Sequence, residues 1–204
     1  MLDNANARRS AARFIDPVAR LMLRLKVTPD GITWFGCGAT ILISVVFLAQ
    51  GNFLIGAILF GAFGLIDLLD GTMARMLGTA GPWGAFLDST LDRISDAAVI
   101  CALIYFYVNA DSSNSQLAVI AGIVSLVMSL MTSYARAKAE SLDAKCTVGI
   151  AERAERNLLI WISLLISALV TDVMPYALAA LAVLSTITVI QRILFVRKQL
   201  VIKA

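Results

Sequence analysis

The chain contains no histidine. Imidazole is therefore excluded as a general base and as a metal ligand. Acid–base chemistry and metal ligation fall to carboxylates and basic side chains. Cysteine is scarce: Cys37, Cys101 and Cys146 are odd in number, far apart and without metal-ligand spacing. No structural disulfide is expected, and two of the three lie in apolar runs where cysteine acts as a small hydrophobe. No internal repeat or low-complexity tract is present. The opening "MLDNANARRSAARFIDPVARLMLRLK" lacks both a continuous apolar core and a small-residue cleavage site, so it does not read as a signal peptide.

What the chain has in excess is apolar length. Of its 204 residues, 59% are hydrophobic, and the mean hydropathy is +0.84. Soluble domains lie nearer half apolar. The pattern predicts an all-α polytopic membrane protein forming one domain over residues 1–204. Six transmembrane helices are expected near 31–49, 53–76, 83–108, 116–138, 155–171 and 175–195, a bundle over 31–195. Turn chemistry separates them: "QGN" at 50–52, "LGTAGP" at 77–82, "NADSSNSQ" at 109–116, "AESLDAKCTVGIAERAER" at 139–156 and "TDVMP" at 171–175. Residues 1–27 intersperse apolar positions with Arg8, Arg9, Arg13, Arg20, Arg24 and Lys26, which suits an amphipathic helix on the membrane surface. Pro17 is expected to break or kink it.

The loops at 50–52, 109–116 and 171–175 contain no Lys or Arg; all 17 fall on the other side or at helix ends facing it. The positive-inside rule makes that side cytoplasmic, and the expected location is the plasma membrane. Six spans return both termini there, and both termini are basic. No nucleic-acid partner is expected.

Five aspartates interrupt this apolar chain within 30 residues: Asp67, Asp70, Asp88, Asp92 and Asp96. An Asp at the centre of a membrane helix costs roughly 3 kcal/mol, so each demands a reason. Asp67 and Asp70 are i, i+3 on one span; Asp88, Asp92 and Asp96 are i, i+4, i+8 on the next. A short loop makes the two spans antiparallel neighbours. Two carboxylate faces across a helix pair repel unless a cation lies between them. Oxygen-only donors favour a hard ion, Mg²⁺ or Mn²⁺. Gly71 and Ala74 permit close approach of a ligand or of another helix. Arg75 can pair with a phosphate or snorkel at the helix end.

Asp67-x-x-Asp70-Gly71-x-x-Ala74-Arg75, eight further residues, then Gly84-x-x-x-Asp88-x-x-x-Asp92 resembles the signature of the CDP-alcohol phosphotransferases at every fixed position and spacing. The family moves a substituted phosphate from a CDP-linked donor to an alcohol and releases CMP. The resemblance implies that Asp67, Asp70 and Asp88 ligate metal, that Asp92 completes the second of two sites, and that Asp92 is the general base. It implies that Gly71 and Ala74 lie against the cytidine, that Arg75 contacts the diphosphate, and that Asp30 and Thr33 help hold the nucleotide. It also implies CDP-diacylglycerol as donor and a homodimer. Asp96 lies outside the signature, as a site wall or an ordinary polar residue.

Arg136, Lys138, Arg153, Arg156 and Arg192 form a basic set suited to a phosphorylated acceptor, or to anionic lipid headgroups. The runs "SYARAKAES", "ERAER" and "LDSTLDRISDA" are similar to those of actinobacterial phosphatidylinositol phosphate synthases, which implies inositol 1-phosphate as acceptor. A phosphatidylglycerophosphate synthase using glycerol 3-phosphate is the close alternative, since both acceptors are anionic. A cation or proton transporter is the alternative from another class.

Overall fold

The computed structural model describes residues 5–202; the side chains of residues 5–14, 65–68 and 202 lie outside that description. Among the described residues the fold is all-helical. The α-helices are α1 (Ala5–Arg24), α2 (Pro29–Val46), α3 (Phe53–Leu77), α4 (Pro82–Asn109), α5 (Ser115–Glu140), α6 (Arg153–Leu169) and α7 (Met174–Ile202), with a 3₁₀ turn at Leu48–Gln50. Residues 29–50, 53–77, 115–140 and 174–201 are long and apolar enough to cross a membrane. Helix α6 has 17 residues and opens on Arg153, Glu155 and Arg156, while α4 has 28 but carries Asp88, Asp92, Arg93 and Asp96.

Local chemistry sets the helix ends. Pro29 occupies the first position of α2, and the Gly31 N–H donates to Thr28 Oγ1 at 3.1 Å, so Thr28 caps it. Helix α3 ends at Gly78, whose φ of 68° is left-handed; Gly78 N–H donates to Arg75 O and Thr79 N–H to Ala74 O. That bond pair closes the last turn. The same closure ends α1 at Lys26 and α5 at Asp143, both left-handed despite bearing side chains. Helix α1 runs through Pro17 without a break. Its loss of one N–H donor is offset by packing. Ala19 is fully buried with Ile32, Leu69 and Met73, and Ile15, Met22, Leu23 and Val27 close around them.

The chain divides into two compact units, residues 1–43 with 58–95, and residues 44–57 with 96–204. In the first, Ile32, Leu69 and Met73 tie α2 and α3 to α1, while Cys37, Leu87 and Leu91 tie α2 to α4. In the second, Leu103, Leu164, Leu178 and Leu181 are buried. Gly122 lets α5 approach α4: a Cβ there would lie 2.6 Å from Ile104 Cγ1. The Ser125 hydroxyl donates to Leu178 O at 2.9 Å, and the Trp161 indole donates to Ala57 O at 2.9 Å. All three cysteines are free.

Candidate active site

In the first unit, α2, α3 and α4 carry the signature residues. Asp70 and Asp92 are 8% and 9% exposed, and Asp88 is half-buried. Carboxylates this deep need partners or a cation. The Thr33 hydroxyl donates to Asp70 Oδ2 at 2.8 Å, so two residues placed apart by sequence, one with the nucleotide and one with the metal, meet directly. Asp70 Oδ1 accepts from the Gly71 N–H. Arg75 Nη2 donates to Thr72 Oγ1 at 3.0 Å, folding the guanidinium back along α3. Gly71 makes room for it, because a Cβ there would sit 3.3 Å from Arg75 Nη1. Ala74 is half-buried on the same stretch.

Asp30 accepts from Trp83 Nε1 at 2.8 Å. Trp83 was not singled out by sequence, although it directly precedes Gly84 of the signature. Asp67 sits on α3, and its side chain lies outside the described residues. Among the described residues no group of three or more His, Cys, Asp or Glu side chains gathers as a metal-binding cluster. The all-oxygen donor set of Asp70, Asp88 and Asp92, two of them buried, nevertheless fits a hard divalent cation.

The second unit sorts the five basic residues into three kinds. Arg136 pairs with Glu140 at 2.9 Å across one exposed helical turn, and Lys138 is exposed. Arg153 and Arg156 converge on one carboxylate: Arg153 Nε lies 3.4 Å from Asp96 Oδ1, and Arg156 Nη2 lies 3.7 Å from Oδ2. Asn157 Nδ2 lies 3.5 Å from Asp96 Oδ1. Their shared helical face was legible as i, i+3; the partner Asp96 and the added Asn157 were not. Arg192 is 4% exposed and braces the backbone, donating from Nε to Val148 O at 3.0 Å and from Nη1 to Thr132 O at 2.5 Å. Gly149 (φ 149°) lets the 141–152 loop lie on α7, since a Cβ there would meet Thr188 Cγ2 at 2.6 Å.

Six-span topology aside, these elements define a membrane-embedded helical enzyme with a carboxylate-rich site: residues 26–202 match the CDP-alcohol phosphatidyltransferase family, and the chain belongs to it. It is a CDP-alcohol phosphotransferase, and the transporter alternative falls away. Its relatives narrow the kind. It is 39% identical over 196 residues to the phosphatidylinositol phosphate synthase of Cutibacterium acnes, covering 92% of this chain and 94% of that one. It is 39% identical over 189 residues to the archaetidylinositol phosphate synthase of Methanothermobacter thermautotrophicus, covering 92% and 91%. The crystal structure of Mycobacterium tuberculosis phosphatidylinositol phosphate synthase with CDP-DAG bound superposes with a TM-score of 0.84 at 35% identity, covering 91% of this chain and 94% of that one. The same enzyme in complex with manganese and citrate gives 0.83, covering 88% and 87%. These relatives support divalent-metal dependence.

Proposed function

We propose that this chain transfers the phosphatidyl group of CDP-diacylglycerol to a hydroxyl of inositol 1-phosphate, giving phosphatidylinositol phosphate and CMP. The observation that carries a phosphorylated acceptor is the convergence of Arg153 and Arg156, with Arg156 buried: an arginine serving only the headgroups has no cause to leave the surface. The relatives, a phosphatidylinositol phosphate synthase and an archaetidylinositol phosphate synthase, favour inositol 1-phosphate over glycerol 3-phosphate.

Asp30, Thr33, Gly71, Ala74 and Arg75 hold the nucleotide and diphosphate. Asp67, Asp70, Asp88 and Asp92 would hold two Mg²⁺ or Mn²⁺ ions, which when bound neutralise the diphosphate and the departing CMP. The Thr33 bond fixes one Asp70 oxygen, which orients the other. Asp92 takes the proton of the attacking hydroxyl. A bond forms from that oxygen to the phosphatidyl phosphorus, and the bond from this phosphorus to the bridging oxygen breaks, leaving CMP. Arg153 and Arg156 bind the acceptor phosphate, Arg136 and Lys138 add exposed positive charge, and Arg192 braces the backbone at Val148 and Thr132.

The six helices α2–α7 all cross the plasma membrane, α1 lies on its cytoplasmic surface, and the site and both termini face the cytoplasm. Basic loops and ends on one side support this orientation. The family match runs through both compact units, which supports a single domain. The working form is a homodimer. Labelling of Thr79→Cys and Ser113→Cys, in a chain freed of Cys37, Cys101 and Cys146, tests the orientation: only the latter is reached from outside the cell. The function itself is tested by mass spectrometry of the lipid made from CDP-diacylglycerol, Mg²⁺ and inositol 1-phosphate. A phosphatidylinositol phosphate supports it; CDP-diacylglycerol left intact refutes it.

A further inference from the structure

Asp96 belongs to no part of the signature, yet it is the residue on which the proposed acceptor arginines meet. Its side chain is 15% exposed. One carboxylate oxygen lies against each guanidinium, at 3.4 and 3.7 Å, and Asn157 on α6 approaches the Arg153-side oxygen. Tight charge-assisted bonds between such groups measure about 2.7–2.9 Å. Asp96 therefore sits between the two cations rather than locked onto either.

Charge explains the arrangement. Two guanidiniums held side by side repel, and a guanidinium as buried as Arg156 is costly without a nearby anion. Asp96 supplies that anion. A phosphate monoester brings the charge and the oxygens to use both guanidiniums, whereas an unphosphorylated polyol brings neither.

We propose that Asp96 is a positioning residue for the acceptor: it holds Arg153 and Arg156 together as a phosphate-binding pair, and so sets the preference for a phosphorylated alcohol. The proposal rests on the acceptor reading given above. It assigns Asp96 no contact with the reacting atoms and no part in holding the donor.

The test is steady-state kinetics of Asp96→Asn, Asp96→Glu and Arg153→Gln in lipid nanodiscs, with inositol 1-phosphate and CDP-diacylglycerol varied in turn. Asp96→Asn is expected to raise the inositol 1-phosphate KM about tenfold, the effect of losing one charge-assisted contact. The CDP-diacylglycerol KM and the kcat at saturating acceptor should stay within about twofold. Asp96→Glu, which keeps the charge, should fall between wild type and Asp96→Asn. A merely structural role would move both KM values together or lower kcat alone, and either result overturns the proposal. If Asp96→Asn does not yield folded protein by size exclusion, Asp96→Ser, which also removes the charge, decides: an acceptor KM within twofold of wild type refutes the idea. Arg153→Gln separates the two levels. If it raises the acceptor KM while the Asp96 variants do not, only the Asp96 role fails; if it too has no effect, the acceptor reading fails with it.

Discussion

Arg192→Gln should destabilise this protein more than any other change among its basic residues. The guanidinium is 4% exposed, and its two described donors reach Val148 O in the 141–152 loop and Thr132 O in α5. A hydrogen bond from a charged donor is worth about 1.5–3 kcal/mol, so the two together hold about 3–6 kcal/mol. Glutamine is shorter and keeps one amide, which recovers about 1 kcal/mol through a single neutral bond. The net loss is about 2–5 kcal/mol against a typical total of about 5–15. For a chain of this length that lowers Tm by on the order of 10 °C. The assay is a thermal series in detergent read by the surviving monodisperse peak on size exclusion. Arg136→Gln is the control, because its exposed partner Glu140 makes it worth less than about 1 kcal/mol. An Arg192→Gln midpoint within about 2 °C of wild type would refute the reasoning: the two carbonyl contacts would then carry no net energy.

The remaining predictions concern chemistry. Asp70→Asn and Asp88→Asn should abolish CMP release yet leave a folded, membrane-inserted protein, because the amide keeps the shape and loses the charge that holds a cation; near-wild-type turnover from either would remove that residue from the metal site. Asp92→Asn should slow single-turnover chemistry more than it weakens CDP-diacylglycerol binding, and a proportional loss of both would leave it a ligand only. Arg153→Gln and Arg156→Gln should each cost about 10- to 150-fold in kcat/KM for the phosphorylated acceptor. Lys138→Gln and Arg136→Gln should cost far less, since exposed charges near headgroups are worth about 1 kcal/mol; equal losses across all four would make the set a diffuse field rather than a pocket.

Helix placement was legible because apolar length and turn residues carry it directly. Five of the six expected spans found their helices within a few residues; the last, expected to end at 195, runs on to Ile202, and α6 begins at Arg153 rather than at 155, which brings Arg153 into its first turn. Pro17 does not end α1, because the tertiary packing of Ala19 overrides the local propensity to break there. The helix placement of the signature aspartates was legible because fixed spacing on a helix fixes a face. What spacing does not encode is contact between distant segments. Thr33 meeting Asp70 spans 37 residues, Trp83 meeting Asp30 spans 53, and Arg153 meeting Asp96 spans 57. Arg192 reads in sequence as one more basic residue of the set. Only the packing of Gly149 against Thr188 shows why it is buried and bonded to backbone.

The central claim is that a phosphorylated polyol, held by Arg153 and Arg156, receives the phosphatidyl group. It is tested most directly by CMP release from nanodisc-embedded protein with CDP-diacylglycerol and Mg²⁺, comparing kcat/KM for inositol 1-phosphate, free inositol, glycerol 3-phosphate and serine. The account predicts that inositol 1-phosphate exceeds free inositol by about tenfold or more, the worth of one charge-assisted phosphate contact. It predicts that inositol 1-phosphate also exceeds glycerol 3-phosphate and serine. Equal use of free inositol would contradict the phosphate pocket, and a preference for glycerol 3-phosphate would make the chain a phosphatidylglycerophosphate synthase instead.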